Sequence, residues 1–213
     1  MSLTQPSTVK RLGVYGGAFD PPHRAHTELA HAAVAQLQLD ALHILPTGQA
    51  WHKDRPLTPA ADRLAMTRLA FQNVPKARVD DREIKRAGPT YTVDTLRELK
   101  AQFPQAQLYL LLGDDQRRAL PSWHQIEEIG RLAIICAAGR DAAVQAWSDS
   151  NTGTPPAALS PSFDARIQSL KMPLMPHSAT DIRSLVTTDR NISGLVPPAV
   201  ERYIHEHHLY RPH

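Results

Sequence analysis

Two apolar runs without alternation constrain the fold of this chain more than any other feature. Leu108-Tyr109-Leu110-Leu111-Leu112 and Leu132-Ala133-Ile134-Ile135-Cys136-Ala137-Ala138 have no polar residue at every second position. A strand of this kind has no side to offer to water, so it belongs in a parallel sheet covered on both faces. Leu42-His43-Ile44-Leu45, stopped by Pro46, reads the same way, and Arg11-Leu12-Gly13-Val14-Tyr15 adds a short strand that runs into Gly16-Gly17.

Helical patterns separate these strands. One spans 27–39, with Leu29, Ala33, Val34 and Leu37 on one face. A second opens with Thr58 as N-cap and Pro59 at the first helical position, carries Leu64, Met66, Leu69 and Ala70, and ends near Val74-Pro75. A strand, loop and helix follow across 77–102, the helix starting after Thr92 with Val93, Leu96 and Leu99 buried. Ser122 to Gln125 has capping-box spacing and predicts another helix start. After a Pro- and Gly-containing stretch at 151–162, expected to be a mobile loop, the pattern resumes at 170–175 and in a helix from Ser178. The expected fold is α/β: a single doubly wound, Rossmann-like domain with a mostly parallel sheet and helices on both faces. Polar residues 1–9 are expected to be disordered, with 10–213 forming the domain. Ligands of such folds bind where loops leave the C-terminal strand ends.

Composition narrows the function class. The 213 residues carry 24 Lys+Arg and 21 Asp+Glu, a net charge of +3, without the basic runs of a nucleic-acid binder. The one cysteine, Cys136, excludes an intramolecular disulfide and a CxxC metal knuckle, and its apolar surroundings predict a buried small hydrophobe. No apolar run approaches the roughly 18 residues that span a bilayer, and MSLTQPSTVKRLG lacks a signal-peptide core. A cytoplasmic protein with no membrane and no nucleic-acid partner is expected. His205, His207, His208 and His213 read as a polar C-terminal face and tail, since no carboxylate or cysteine spacing supports a metal site there.

Two segments carry chemistry. Gly16-Gly17-Ala18-Phe19-Asp20-Pro21-Pro22-His23-Arg24-Ala25-His26 joins the first strand to the first helix. Paired glycines let backbone N–H groups approach an anion, and His23 and His26, three apart at a helix start, share a face where the helix dipole attracts negative charge. The segment is neither a Walker A loop nor a GxGxxG fingerprint. Asp20 reads as a turn-former before Pro21. In Pro176-His177-Ser178-Ala179-Thr180-Asp181-Ile182-Arg183, an N-cap at Ser178 would converge two hydroxyls, backbone N–H groups and the Arg183 guanidinium on a second anion. A nucleoside triphosphate held between the two segments accounts for both.

GGAFDPPHRAH and HSATDIR resemble the G-G-x-F-D-P-x-H-x-G-H and I-S-S/A-T-x-I-R signatures of nucleotidyltransferases. Trp51-His52-Lys53, Arg82-Glu83-Ile84-Lys85-Arg86 before Pro89-Thr90-Tyr91-Thr92, Gly113-Asp114-Asp115, Pro121-Ser122-Trp123 and the ending, Tyr203-Ile204 through Leu209-Tyr210-Arg211, narrow the resemblance to bacterial nicotinate-mononucleotide adenylyltransferases over nearly the whole chain. Departures from that pattern are Ala25 for glycine, His177 for an apolar residue, Ala50-Trp51 for Pro-Pro and His124 for tyrosine.

The resemblance implies transfer of AMP from ATP to nicotinate mononucleotide, giving deamido-NAD and pyrophosphate. His23, His26 and Arg183 would be catalytic. Gly16, Gly17, Ala18, Phe19, Gly113, Asp115, Ser178, Thr180 and Arg183 would bind ATP. His52, Lys53, Thr90, Tyr91, Thr92 and Trp123 would bind nicotinate mononucleotide, Trp123 by stacking on the pyridine ring. Mg²⁺ would arrive with ATP, and no protein ligand is assigned to it. The residues leave open homo-oligomerisation, another acceptor such as nicotinamide mononucleotide or phosphopantetheine, and a regulator that binds nucleotide without turnover.

Overall fold

The computed structural model describes residues 8–48, 56–138, 167–173, 175 and 177–211, and for residues 114, 115 and 118 the backbone alone. Its centre is a six-stranded sheet: β1 (Arg11–Gly17), β2 (Ala41–Pro46), β3 (Ala77–Val79), β4 (Gln107–Leu112), β5 (Ala133–Ala138) and β6 (Ile167–Leu170). Every pairing is parallel and the order is β3-β2-β1-β4-β5-β6. The order reverses direction beside β1, so the crevice between the loops after β1 and β4 is the place where such a sheet receives a ligand. The α/β doubly wound expectation holds, and the apolar runs are β4 and β5, with Leu132 ending the preceding helix instead.

Helices α1 (Arg24–Gln36), α2 (Ala60–Phe71), α3 (Arg82–Lys85), α4 (Thr92–Gln102), α5 (Asp114–Ala119), α6 (Ile126–Leu132), α7 (Ala179–Thr187) and α8 (Pro198–Glu206) complete the described elements. Their apolar stripes build two cores, one on each sheet face. Leu29, Ala33, Met66, Phe71, Ile182 and Ile204 pack on one, and Leu96, Leu99, Leu120 and Ile129 on the other. Val9, within the expected N-terminal segment, is buried in the second core.

Three helix starts differ from expectation. Helix α1 begins before Thr27 because His23 is its N-cap and donates its backbone N–H to Nδ1 of His26 at 3.0 Å. Pro59, not Thr58, is the N-cap of α2. The Thr58 N–H reaches Asp20 Oδ2 at 3.3 Å and its carbonyl accepts from Arg63, so the residue is committed to the neighbouring loop. At the expected capping box, Ser122 instead ends a 3-10 turn and donates to Ala119 O at 2.7 Å, and α6 starts after Gln125 in left-handed backbone (φ 53°). Arg97 on α4 holds that corner, bonding Gln125 Oε1 at 2.6 Å and both oxygens of Glu128 at 2.6 and 2.8 Å.

Arg63 occupies the buried stripe of α2 with Met66, Thr67, Ala70 and Phe71, and is 2% exposed. Its guanidinium donates to Thr58 O (3.0 Å), Ala18 O (3.0 Å), Thr47 O (2.7 Å) and Gly48 O (3.4 Å). These carbonyls belong to segments outside the sheet ladder, and Arg63 supplies them with donors. Arg63→Met, which keeps most of the volume and removes the donors, is expected to cost about 3–5 kcal/mol of unfolding free energy in urea titration.

Candidate active site

The loop after β1 is the common wall of the site. Its beginning, Gly16, Gly17 and Ala18, lines a cavity of about 190 Å³ together with Thr47, Glu83, Thr90, Tyr91, Thr92, Gln116 and Trp123. Its end, Asp20, is bound by Arg183, whose Nη1 donates to the Asp20 carbonyl at 2.7 Å while Nη2 donates to Thr180 Oγ1 at 2.9 Å. The structure therefore brings the two chemical segments of the sequence together at one strand end.

Phe19 separates those two ends. Its backbone is left-handed (φ 47°), and its ring is buried edge-on against Tyr15, His26 and Phe71 at 5.1–5.5 Å. A conformation of this kind costs on the order of 1–3 kcal/mol and persists because the aromatic cluster holds it. With its ring in the core, Phe19 can present only backbone to a ligand.

His23 and His26 lie side by side, ring centroids 3.8 Å apart. Because Nδ1 of His26 accepts the His23 N–H, its ring proton resides on Nε2. His23 is 8% exposed, and burial lowers its pKa to about 4, so it is a neutral imidazole at physiological pH. At the start of α7, Ser178 is the N-cap in a reciprocal arrangement with Asp181. The Asp181 N–H donates to Ser178 Oγ (3.2 Å), and the Ser178 N–H and hydroxyl donate to Asp181 Oδ2 (2.8 and 2.7 Å). These hydrogen bonds hold Asp181 in the charged form.

On the cavity side, Thr90 Oγ1 is buried and has no hydrogen-bond partner among the described residues. Tyr91 packs on His124 at 4.5 Å, and Trp123 is half-buried at the cavity wall. Gly113 caps α5 at the end of β4. The side chain of Asp115 and all of His52 and Lys53 lie outside the described residues, as does the 151–162 segment. His207 stacks on Tyr203 at 4.0 Å, and among the described residues no group of three or more His, Cys, Asp or Glu side chains could hold a metal ion. No helix among them is long and apolar enough to cross a membrane.

A model of the cytidylyltransferase-like family matches residues 14–185. Proteins of Albidiferax ferrireducens and Methylibium petroleiphilum, each named "Probable nicotinate-nucleotide adenylyltransferase", are 50% and 40% identical to the chain, covering 95% and 97% of it and 99% and 95% of themselves. The chain belongs to the nicotinate-nucleotide adenylyltransferases of the cytidylyltransferase-like family. A nicotinic acid mononucleotide adenylyltransferase of Plasmodium falciparum, solved as a complex with NaAD, shares the fold at a TM-score of 0.71 and 21% identity, covering 94% of this chain and 97% of that one.

Sequence reasoning missed several residues on which this adenylyltransferase site depends. Arg63 had a local signal, a charge on the apolar stripe of α2. Asp20 does more than form a turn: it is 2% exposed, and its carboxylate accepts from Thr58 N–H and from the Tyr210 hydroxyl (2.7 Å). Tyr210 lies in the family-like ending but had no signal for its role, which depends on a partner 190 residues away. Glu83 faces the cavity, and its main chain packs so closely on Gly48 that an added Cβ there would lie 2.0 Å from the Glu83 carbonyl oxygen.

Burial raises the Glu83 carboxyl to about 7, against 4.5 for an ordinary glutamate; the Thr95 hydroxyl bonded to it at 2.7 Å and nearby Arg86 oppose the shift, while Asp80 and Glu98 add to it. The folded chain thus retains a proton on Glu83 that the unfolded chain has released, so the contribution of this group to stability falls as pH rises from about 4.5 to about 7, opposed by buried His23, whose contribution rises between about 4 and 6.5. At roughly 1.4 kcal/mol per pKa unit, the Glu83 contribution is on the order of 3 kcal/mol. Glu83→Gln removes it, so the melting temperature of the variant relative to the wild type is expected to rise between pH 5 and 7.5.

Proposed function

We propose that the chain transfers AMP from ATP to nicotinate mononucleotide, forming deamido-NAD and pyrophosphate in NAD biosynthesis. The observation that carries this reading is the shared loop, which walls a ring-sized cavity with residues 16–18 and is tied to Arg183 at residue 20. The names of the relatives at 50% and 40% identity support it.

The nucleophile is the acceptor's phosphate monoester, mostly ionised at neutral pH because its second pKa is about 6. It needs no general base. What the reaction needs is two polyanions held in line, and donors for the charge that grows on the α-phosphate and on the leaving pyrophosphate. Backbone N–H groups of 16–19 and the start of α1 meet the phosphates. His26 donates from Nε2, and neutral His23 donates one N–H beside it. Arg183, Thr180 and the N-terminus of α7 take the β/γ end. The Ser178 hydroxyl is engaged by Asp181, so Ser178 contributes chiefly by starting α7 at this point.

Gly113 and Asp115 complete the nucleoside side. The acceptor occupies the cavity, its pyridine ring against Trp123 and its polar groups meeting the 90–92 loop, where the unpartnered Thr90 Oγ1 gains a hydrogen bond. His52 and Lys53 meet its phosphate. Mg²⁺ enters as part of the substrate, carried on the ATP phosphates. The described carboxylates nearest the phosphate segments, Asp20 and Asp181, are already committed to hydrogen bonds within the protein.

Pyrophosphate release from ATP, Mg²⁺ and either mononucleotide tests the reading: turnover with the acid well above that with the amide is expected, and equal rates overturn the acceptor assignment. His26→Ala is expected to retain the fold and ATP binding and to lose turnover by about 10²–10³-fold, the usual cost of a transition-state donor. Near-normal turnover would remove His26 from catalysis.

A further inference from the structure

The C-terminal segment reaches the phosphate loop through one side chain. After α8 the chain turns back, with the Leu209 N–H on Ile204 O at 3.0 Å and Tyr210 in left-handed backbone (φ 64°). The Tyr210 carbonyl accepts from Thr187 Oγ1 at the end of α7 (2.9 Å), and its hydroxyl donates to Asp20 Oδ1 (2.7 Å) across 190 residues of sequence. Arg183, from the same α7, holds the carbonyl of that same Asp20. Asp20 is thus gripped at its main chain by one element and at its carboxylate by another, three residues before His23.

We infer that Tyr210 is a positioning residue for nucleotide binding: its hydroxyl fixes Asp20 and, through it, the turn that leads into the α1 start. Asp20 is buried, so a lost donor cannot be replaced by bulk water without opening the loop. Residues 16–18, which wall the acceptor cavity, are separated from Asp20 by the buried Phe19, so the effect falls on the ATP side and spares the acceptor. The inference rests on the reading of the 16–20 loop as the ATP-phosphate site.

Tyr210→Phe keeps the ring and deletes the hydroxyl. Tyr203→Phe is the matched control, because it removes a similar hydroxyl–carboxylate bond (Tyr203 to Asp62, 2.9 Å) between the same C-terminal region and α2, away from the phosphate loop. Calorimetric titration with ATP and, separately, with nicotinate mononucleotide is the measurement, alongside melting temperature. Tyr210→Phe should weaken ATP binding about ten-fold and leave acceptor binding unchanged. Tyr203→Phe should leave both unchanged. Combined with Asp20→Asn, Tyr210→Phe should add little to the loss that Asp20→Asn causes alone, because both act through one carboxylate. Unaltered ATP affinity in Tyr210→Phe, an equal loss for both ligands, or full additivity in the double variant would overturn the inference. A wild-type protein that binds ATP but adenylates neither mononucleotide would refute the proposed reaction and leave the ATP titrations able to decide this point.

Discussion

The Arg63 guanidinium is the interaction on which the working end of this molecule depends. A parallel sheet satisfies its backbone through the ladder, but the chain must leave that ladder at the C-terminal strand ends, and a ligand crevice requires it to do so below the surface. Here the segments after β1 and β2 depart side by side, and their carbonyls at Ala18, Thr47 and Gly48 point inward. One buried cation on α2 gathers them together with Thr58 O. Burial disfavours the charge on Arg63, while Asp20 nearby favours it. The arrangement holds two loops and a helix start in fixed relation, and the cavity wall follows from that geometry.

Electrostatics in the site rely on placement more than on charge. A net +3 is small, and the buried imidazole of His23 is neutral. The positive potential that would meet a triphosphate comes from helix starts, backbone N–H groups in the glycine turn and the Arg183 guanidinium. Donors fixed in this way need not reorganise as charge moves from the α-phosphate to the leaving group. The acidic residues nearby are engaged in hydrogen bonds within the protein: Asp181 by the cap of α7, Asp20 by Tyr210 and Thr58.

Much of this was legible residue by residue. The apolar runs of β4 and β5 announced a covered parallel sheet, since no half-exposed strand would omit polar alternation. The glycine–histidine and serine–threonine–arginine segments were legible as concentrations of donors at helix starts, and the structure brings them together through Arg183 and Asp20. The helix boundaries were less legible, as at Thr58, Ser122 and His23. At Thr58 the backbone is bonded to Asp20, at Ser122 the hydroxyl is bonded to Ala119 while Arg97 holds Gln125, and at the start of α1 the Arg24 N–H is bonded to Leu195 O. Local preference and tertiary demand compete at helix ends for about 1 kcal/mol, so a single long-range hydrogen bond decides.

Sequence alone determined the fold class and marked the glycine–histidine and serine–threonine–arginine segments with residue types suited to phosphate, because periodicity and short motifs are local properties. The tertiary structure decided which backbone carries those segments: that Phe19 faces the core, that Ser178 is engaged in its cap, and that Arg63, Asp20 and Tyr210 hold the loop. Asp20 and Tyr210 stand 190 residues apart, and Arg63 and Ala18 stand 45 apart. No local pattern encodes such pairings; they exist only because parallel strands bring distant loops to the same end of the sheet.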